Sequence, residues 1–482
     1  MSPLLSPQRT TLAIDPTKNR KCSINGYAFQ QDAIHTYAGF QFACFYARLE
    51  EDEEGGEEQE RLYVHLSRRK LPSRVWDTII FKDYAQTEDD GHNTVQLGIC
   101  PSDSTIHLTY DHHCSPLHYR HSLPGAATVP SEKWDVSLFG TTLTNTLPGL
   151  QTDQESNNKT VKALLNDVTY PRFLPLPNTN QLLLTFRTGK AGLGDDHLFT
   201  YSHGKYTFLG THLRGIRNNP YIHGLSISPP SSSSNSNNKL VTTWVYRAFV
   251  PYLGWDDPLD TKHKQQAGPN SAENNHDICC AYSEDGGVTW YGGGGRGGKS
   301  TPKKEKGEVM IANLSKDTSI LPTSSDIVAF EIPKGAGLMN QESQTVDYDG
   351  GIHVLNRDCL DDGGKTRWKH YYSDPLDGWM QRILPHVDGA CGGKRGQVAV
   401  SREGDLYFVL PHHTERTLTI LKASKESRFA EYELVWQEEG FPPTDPLVDK
   451  ARLLSDNVLS VLTKSLAGPG EGVMLTVLDF PL

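Results

Sequence analysis

The sequence predicts an all-β fold, a single β-propeller of about seven four-stranded blades. Three observations favour it: short strands with period-2 alternation recur along the chain, no long segment carries a sustained helical apolar stripe, and one hairpin bears an Asp-box repeat. The 43 glycines, 29 prolines and 20 tyrosines suit many short strands joined by tight turns. Because propellers of 482 residues form one unit of repeated sheets, residues 1–482 are expected to be a single domain with a short N-terminal extension of about 1–20.

The strands are predicted from alternating apolar and polar residues bounded by Gly, Asn, Asp or Pro. The clearest are TVQLGI (94–99), TIHLTY (105–110), QLLLTF (181–186), KLVTTWVY (239–246), GIHVLN (351–356), DLYFVL (405–410) and TLTILKA (417–423). The best helical segment is short and lies around Val161 to Leu165. This pattern favours one repeated β architecture over an α/β enzyme.

The Asp box runs from Ser283 to Trp290 with the pattern S-x-D-x-G-x-T-W, and a degenerate echo runs from Tyr372 to Trp379. In such a hairpin the Ser and Asp side chains cap the turn backbone, Gly supplies a positive φ, and Trp packs beneath. The motif is structural and therefore predicts the fold rather than the chemistry.

Three low-complexity insertions interrupt the strand pattern, at Glu50 to Glu60, Pro229 to Asn238 and Gly292 to Lys306. None can bury much apolar surface, so we expect solvated loops within or between blades. Strand patterns resume on both sides of each insertion, which argues against domain linkers.

Composition narrows the class of protein. The net charge of -11 without a basic stripe argues against a nucleic-acid partner. The eight cysteines include no CxxC pair, which favours buried free thiols over a zinc ribbon or disulfide scaffold. The N-terminus lacks the apolar core of a signal peptide and no segment approaches a membrane span, so no membrane partner is predicted. The protein is expected to be a monomer.

The densest group of titratable residues lies around two neighbouring strands of one predicted blade. His92 and Asn93 precede the first strand, and His113 follows the second, so His92 and His113 are expected to meet at a common end. Any one of these histidines taken alone is better explained as an exposed turn residue. The number of imidazoles at one sheet end favours a functional site.

A second group consists of tyrosines and arginines at strand ends: Tyr170, Arg172, Arg187, Tyr221 and Arg247. Such residues commonly only pack and extend their polar tips to water. Together with the histidines they supply what an acidic sugar requires, namely cations for a carboxylate and a phenol or imidazole for proton transfer.

The order of several sequence segments resembles one family. These segments are CSINGYAFQQDAIHTYAGFQFACFYAR, GHNTVQLGI, IHLTYDHHCSPLHYRHS, VTYPRF, FRTGKAGLGDDHLFTY, NNHDICCAYSEDGGVTW and GKRGQVAVSREGDLYFVLP, spread over residues 22–411. They resemble the BNR-repeat polysaccharide lyases, a family that contains ulvan lyases and the gum arabic L-rhamnose-α-1,4-D-glucuronate lyase. The resemblance implies a seven-bladed β-propeller with a catalytic function: cleavage of uronate-containing polysaccharides without water, which leaves a 4,5-unsaturated uronic acid.

The resemblance also implies roles for individual residues. His92, His113, Tyr170 and Arg187 match active-site positions of the family, and Tyr221 is a further catalytic tyrosine whose alignment is less direct. Arg187, with His92 or Asn93, is expected to bind the uronate carboxylate, while Tyr170 and His113 transfer protons in an order left open. Arg172 and Arg247 are expected to bind substrate.

Some family members hold a zinc ion with histidine and cysteine ligands. The resemblance carries this site to His276 first, with Cys280 as its companion, since the two lie on one face of a regular strand. Elimination itself requires no cofactor, so a structural metal ion, zinc or calcium, is the one cofactor that the resemblance raises.

The Ser- and Asn-rich insertion at Ser231 to Asn238 is typical of a fungal rather than a marine bacterial chain. In the family that the chain resembles, the fungal member removes rhamnose from an L-rhamnosyl-α-1,4-D-glucuronate linkage of an acidic polysaccharide, so the resemblance and this composition together imply that activity here. The alternatives are an endo-acting ulvan lyase, a sialidase-like glycoside hydrolase and a sugar-binding propeller without catalysis. Such a substrate argues for a location outside the cell, although no signal peptide is visible.

Overall fold

The structure is a computed structural model, and it describes most of the chain. The described residues are 5–15, 32–49, 61–153, 155–156, 159–229, 239–257, 259, 268–295, 309–360, 363–374, 378–387, 394–412, 416–467 and 472–482. Within them, seven small antiparallel sheets form a ring, and this confirms the predicted seven-bladed β-propeller.

The strands are numbered in chain order. Blade 1 contains β2 (Ile34–Tyr37), β3 (Phe40–Ala47), β4 (Leu62–Lys70) and β5 (Asp77–Gln86). Blade 2 contains β6 (Val95–Ile99), β7 (Ile106–Tyr110), β8 (His118–His121) and β9 (Leu143–Thr144). Blade 3 contains β12 (Thr169–Leu176), β13 (Gln181–Thr188), β14 (Asp195–Ser202) and β15 (Lys205–Arg214).

Blade 4 is the largest. It contains β16 (Asn218–Ile227), β17 (Leu240–Ala248), β18 (Asn275–Ser283), β19 (Thr289–Gly292), β20 (Met310–Asn313) and β21 (Val328–Phe330), which pairs with β18. Blade 5 contains β22 (Ser343–Val346), β23 (Ile352–Asp358), β24 (Arg367–Asp374) and β25 (Gly378–Ile383). Blade 6 contains β26 (Gln397–Val400), β27 (Leu406–His412), β28 (Thr417–Ala423) and β29 (Tyr432–Glu439).

Blade 7 closes the ring by combining both ends of the chain. Its strands are β30 (Leu447–Val448), β31 (Val458–Leu466), β32 (Val473–Pro481) and β1 (Gln8–Asp15). Residues 8–15, which the sequence places in an extension of about 1–20, pair along β32 as the outer strand of this blade. The pairing satisfies the backbone groups of an edge that would otherwise be open.

Helices are few and short, as predicted. Helix α1 (Val161–Leu164) lies where the sequence placed its best helical segment, and α2 (Lys450–Asp456) joins β30 to β31. The hairpin of β10 (Glu155–Ser156) and β11 (Lys159–Thr160) precedes α1. Single 3₁₀ turns cover Ala126–Thr128, Ser131–Lys133, Val136–Leu138, Ala272–Asn274 and Leu314–Lys316. No helix in the described part of the chain is long and apolar enough to cross a membrane.

The apolar cores lie between neighbouring blades. One cluster, for example, unites Phe42 of blade 1, Leu97 of blade 2 and Val477 of blade 7. The first strands of successive blades contact one another, as β6 does β12 and β22 does β26, so these strands line the central axis. The seven strand segments predicted from the sequence correspond to β6, β7, β13, β17, β23, β27 and β28.

The Asp box forms the predicted turn between β18 and β19. Asp285 Oδ1 accepts hydrogen bonds from the backbone N–H groups of Val288 and Thr289 at 3.1 and 2.8 Å, and the Trp290 ring is fully buried. Residues 50–60, 230–238 and 296–306 of the three insertions, and 375–377 of the echo, lie outside the described residues. Of the described cysteines, Cys44, Cys100, Cys279 and Cys280 are buried free thiols, while Cys114 and Cys359 are partly exposed.

Candidate functional site

One end of the ring collects the predicted site residues. Because neighbouring strands are antiparallel, the start of each blade's first strand lies beside the end of its second strand. Tyr170 and Tyr221 lie near the starts of β12 and β16, and Arg187 and Arg247 lie near the ends of β13 and β17. His92 precedes β6 and His113 follows β7, so both loops belong to the same end.

His92 and His113 form a stacked pair held by one carboxylate. Their ring centroids are 3.8 Å apart with planes inclined by 20°. Asp90 accepts a hydrogen bond from His92 Nδ1 at Oδ1 and from His113 Nδ1 at Oδ2, each at 2.6 Å. Burial alone would raise the pKa of Asp90, but these two hydrogen bonds hold it well below its usual range.

Tyr170 lies between the histidine pair and a second tyrosine. Its ring centroid is 5.8 Å from that of His92 and 6.2 Å from that of Tyr221. A bulge at the start of β12 places Tyr170 at φ +55°, a conformation that non-glycine residues rarely adopt. The bulge aims the phenol toward the site, and burial raises the pKa of Tyr170 although Arg187 opposes this shift.

Arg187 lies over both tyrosines. Its guanidinium carbon is 4.9 Å from the ring centroid of Tyr170 and 5.1 Å from that of Tyr221, and one Nη2–H donates to the Gly189 carbonyl at 3.0 Å. Burial alone would lower the pKa of Arg187, but the two phenols raise it above its usual value. The side chain is therefore a fixed, buried cation.

Arg247 and Arg172 add further positive charge around the tyrosines. The Arg247 guanidinium carbon is 4.7 Å from the Tyr221 ring centroid, and its Nε–H donates to Asn275 Oδ1 at 2.8 Å. Arg172 is buried one position beyond the β12 bulge, and burial lowers its pKa to about 10. Asn93 is buried beside His92 and donates its backbone N–H to the Asp90 carbonyl at 3.0 Å.

Two carboxyl groups, the partly buried Asp32 and the buried Asp196, lie near Arg172. Burial raises the pKa of Asp32 to about 6 and that of Asp196 to about 7, and Arg172 partly offsets both shifts. Burial, together with the neighbouring His92, also lowers the pKa of His113 to about 3. At neutral pH the site therefore combines a neutral His113 with a protonated Tyr170 and fixed guanidinium groups, which suits acid–base chemistry on an anionic ligand.

The remaining histidines of the predicted cluster lie elsewhere. His107 is fully buried between blades 2 and 3, where its Nδ1 lies 2.6 Å from Tyr119 Oη and 3.0 Å from Tyr206 Oη. His112 accepts a hydrogen bond at Nε2 from the His118 backbone N–H at 2.9 Å. Period-2 alternation along β7 ends at Asp111, whose φ is +67°, so it does not predict the direction of the His113 side chain.

The predicted metal pair does not assemble. On the neighbouring strand β17, His276 pairs with Tyr246 and Cys280 pairs with Thr243. These partners are three residues apart, whereas His276 and Cys280 are four residues apart, because a bulge at Asp277 adds one residue to β18. His276 stacks on the Tyr246 ring, whereas Cys280 is buried in a separate apolar cluster with Tyr221 and Ile278. His276 and Cys280 therefore lie on opposite faces and do not fit one zinc ion.

Within the described residues, Asp90, His92 and His113 are the cluster whose potential ligand atoms lie within 4.8 Å of one another. The two histidine nitrogens nearest to Asp90 are at hydrogen-bond distance from its oxygens, so the carboxylate and the imidazoles satisfy one another. The rings are also nearly parallel, and parallel lone pairs do not converge on one ion. The geometry is that of a hydrogen-bonded triad.

Sequence reasoning missed three residues of this end of the ring. Asp90 lies two residues before His92, and its turn motif Asp-Gly-His was the available signal. Arg395 precedes β26, and its positive charge opposes the rise in the pKa of Tyr170. Its only signal in the sequence was its place in the segment GKRGQ. Cys114 Sγ is 3.9 Å from Arg187 Nη2, a contact that strand periodicity does not predict.

The chain resembles known proteins both in sequence and in fold. The ulvan lyase long isoform of Pseudoalteromonas sp. (strain PLSV) is 24% identical over 374 residues, which cover 71% of this chain and 33% of that protein. The ulvan lyase long isoform of an Alteromonas sp. is 24% identical over 372 residues with the same coverage. The chain thus spans about a third of the length of these relatives.

The crystal structure of polysaccharide lyase Uly1 aligns with a TM-score of 0.62 and 16% identity, covering 99% of this chain and 100% of that one. At this identity the likeness concerns the fold. A sequence model described as a BNR repeat-containing family member matches residues 40–387, from blade 1 through blade 5. Because this match covers well over half of the sequence, the chain belongs to the BNR repeat-containing family.

Proposed function

We propose that the protein is a polysaccharide lyase that cleaves an L-rhamnosyl-α-1,4-D-glucuronate linkage by β-elimination, releasing rhamnose and leaving a 4,5-unsaturated glucuronate. The observation that carries the proposal is the position of Arg187 over Tyr170 and Tyr221, with the His92–His113 pair beside Tyr170. The family membership and the two ulvan lyase relatives support the reaction class.

The first requirement of elimination is to make the proton at C5 of the uronate acidic. A carboxylate bound by a guanidinium carries less negative charge, so the carbanion that forms at C5 is easier to reach. Arg187 is held by two phenol rings and the Gly189 carbonyl, which preorganises its planar donors for a bidentate contact. Arg247, whose guanidinium carbon is 4.7 Å from the Tyr221 ring centroid, supplies a second cation for the same anion.

The second requirement is transfer of two protons. A base removes the C5 proton, the electron pair of that bond forms the C4=C5 double bond, the C4–O4 bond breaks, and an acid protonates O4. In glucuronate the C5 proton and O4 lie on the same side of the ring, so neighbouring groups can perform both steps. His113, neutral because burial lowers its pKa to about 3, is the base, and Tyr170, whose pKa burial raises, is the acid.

The choice of substrate rests on the resemblance to the rhamnose-glucuronate lyase and on the cationic site. A second candidate, an endo-acting ulvan lyase, is favoured by the two relatives, both of which are ulvan lyases. Both substrates are acidic polysaccharides with a uronate whose carboxylate Arg187 can bind.

The test is product analysis on gum arabic and ulvan in parallel, with ultraviolet absorbance of the unsaturated uronate and quantification of free rhamnose. Free rhamnose with a matching amount of unsaturated glucuronate from gum arabic supports the proposal. Unsaturated oligosaccharides from ulvan alone would transfer the assignment to the second candidate. A saturated glucuronate end would refute elimination, and no product from either polymer with intact binding would favour a sugar-binding propeller.

A further inference from the structure

We propose that Asp90 is a positioning residue that holds His92 and His113 simultaneously in the tautomer protonated at Nδ1, so that Nε2 of each ring is the atom that accepts a proton. The consequence for catalysis rests on the proposed function, but the tautomers themselves can be measured without it. Asp90 does not reach the tyrosines or Arg187 in the described contacts, and it acts through the imidazoles.

The geometry assigns the donors. An ionised carboxylate can only accept hydrogen bonds, and the pKa of Asp90 lies well below its usual range. Each Asp90 oxygen lies 2.6 Å from one Nδ1, so each Nδ1 must carry the proton. Oδ1 also accepts the His92 backbone N–H at 2.9 Å, which fixes the rotation of the carboxylate. A neutral imidazole with a proton on Nδ1 has its lone pair on Nε2.

The arrangement also limits the charge of the pair. Two imidazolium rings stacked at 3.8 Å would repel each other, and one carboxylate compensates one positive charge. Three charged or titratable groups act on the pair: Asp90 accepts from both rings, Arg187 opposes protonation of His113, and the Tyr170 phenol lies beside His92. The triad therefore holds at most one imidazolium, and its apparent pKa belongs to the pair rather than to one residue.

Asp90→Asn tests this role because an amide keeps the shape but offers one acceptor and one donor. Only one imidazole can still donate from Nδ1, and the other must accept there and carry its proton on Nε2. The second ring then loses its proton-accepting atom. We expect kcat to fall about 10²- to 10⁴-fold, the range for losing a positioned general base, with KM little changed.

The pH profile gives a readout that a merely structural role would not move. Removing the negative charge lowers the apparent pKa of the imidazole pair, so activity is retained to lower pH. We expect the acid limb of kcat/KM to shift downward by about 1 to 3 pH units in Asp90→Asn. Asp89→Asn, which removes the neighbouring exposed charge, is the matched control and should leave the limb and kcat near their wild-type values.

The direct experiment is ¹⁵N NMR of the protein labelled at histidine ring nitrogens, with signals assigned by His92→Gln and His113→Gln. In the unaltered protein both rings should show protonated Nδ1 and unprotonated Nε2, and in Asp90→Asn one ring should reverse. A wild-type ring protonated at Nε2 would overturn the proposal even if the variant does not fold, and so would unchanged tautomers in a folded variant. Correct tautomers in a protein that cleaves neither polymer would instead count against the proposed function alone.

Discussion

Arg187 lies over two phenol rings, a position that depends on the planar shape of the guanidinium as well as its charge. Lysine places a point charge on a flexible stem and cannot bind a carboxylate through two parallel hydrogen bonds. We therefore expect Arg187→Lys to lower kcat/KM about 10²- to 10³-fold, comparable to losing one preorganised donor to a developing negative charge. The measurement is the initial rate of absorbance by unsaturated uronate.

The matched control for this substitution is Arg217→Lys, which makes the same change at an exposed position that follows blade 3. Its rate should stay close to that of the unaltered protein. Full activity in Arg187→Lys would remove Arg187 from carboxylate binding.

Replacing Tyr170 by phenylalanine tests whether its hydroxyl group transfers a proton. Tyr170→Phe deletes the hydroxyl but keeps the ring that contacts Arg187, and Phe bears the same steric cost as Tyr at φ +55°. We expect kcat to fall about 10²- to 10⁴-fold with nearly unchanged substrate affinity. Isothermal titration with substrate, beside the rate assay, separates the two quantities.

Tyr291→Phe, at a partly exposed tyrosine of β19, is the control for loss of a hydroxyl. If Tyr170→Phe retains the full elimination rate, the acid must be another group, and His92 would be the next residue to test.

Single-residue bulges decide which way strands of this propeller direct their side chains. The bulge at Tyr170 turns its phenol toward the axis, and the bulge at Asp277 places His276 and Cys280 on opposite faces. Each adds one residue to one strand, which reverses the alternation beyond it. Strand alternation read from the sequence therefore holds only up to such a point.

The Asp box stabilises one hairpin of blade 4 and should not affect chemistry. Asp285→Ala removes the acceptor for the backbone N–H groups of Val288 and Thr289 and for Ser283 Oγ. We expect a loss of about 1 to 3 kcal/mol in the free energy of unfolding, the cost of leaving such groups unpaired, with kcat unchanged at low temperature. Urea denaturation followed by tryptophan fluorescence measures it.

Glu284→Ala is the control in the same turn, because its pair with Lys239 at 3.1 Å is partly exposed to solvent. This variant should unfold near the urea midpoint of the unaltered protein. Equal effects of the two substitutions would contradict the role assigned to Asp285.

Closure of the ring joins blade 7 to blade 1 through a buried ionic network. Asp479 of β32 binds Arg69 of β4 and Arg452 of α2, each at 2.6 Å. Asp479→Ala would leave two buried guanidinium groups without this partner, and we expect about 3 to 5 kcal/mol of destabilisation. Asp456→Ala removes a more exposed partner of Arg452 at 3.7 Å and should cost much less. Thermal unfolding compares them, and similar melting temperatures would contradict this account.

The whole molecule should lose stability as pH falls below neutrality. Among the described residues, burial is the leading cause of a lowered pKa in ten histidines: His35, His65, His107, His112, His113, His118, His197, His212, His223 and His370. Unfolding frees them to bind protons near their ordinary pKa of about 6.5, so acid favours the unfolded state. Burial raises the pKa of four carboxyl groups, Asp32, Asp111, Asp196 and Glu342, which act in the opposite direction.

Ten histidines outweigh four carboxyl groups, so the unfolded protein binds more protons between about pH 6.5 and pH 5. We expect the urea midpoint to fall over that interval, and proton uptake on unfolding, measured by calorimetry in two buffers, to be positive. A midpoint that stays constant or rises would show that the carboxyl groups dominate.

Local features of the sequence determined the strands, the turns and the residue types of the site. Alternation, turn residues and the Asp box act over a few neighbouring residues, so they predicted β6, β7, β13, β17, β23, β27 and β28, helix α1 and the class of fold. The positions of Tyr170, Arg187, Tyr221 and Arg247 at strand ends followed from the same pattern, because antiparallel strands place such ends together.

Only the tertiary structure decided which of these residues meet. His113 reaches His92 through Asp90, while His107, on the preceding strand, is buried between blades with two tyrosines. Arg395 of the sixth blade comes near Tyr170 because the ring brings distant segments to one axis. Residues 8–15, expected to be an extension, close the last blade. These contacts depend on bulges and on ring closure, and neither leaves a periodic signal in the chain.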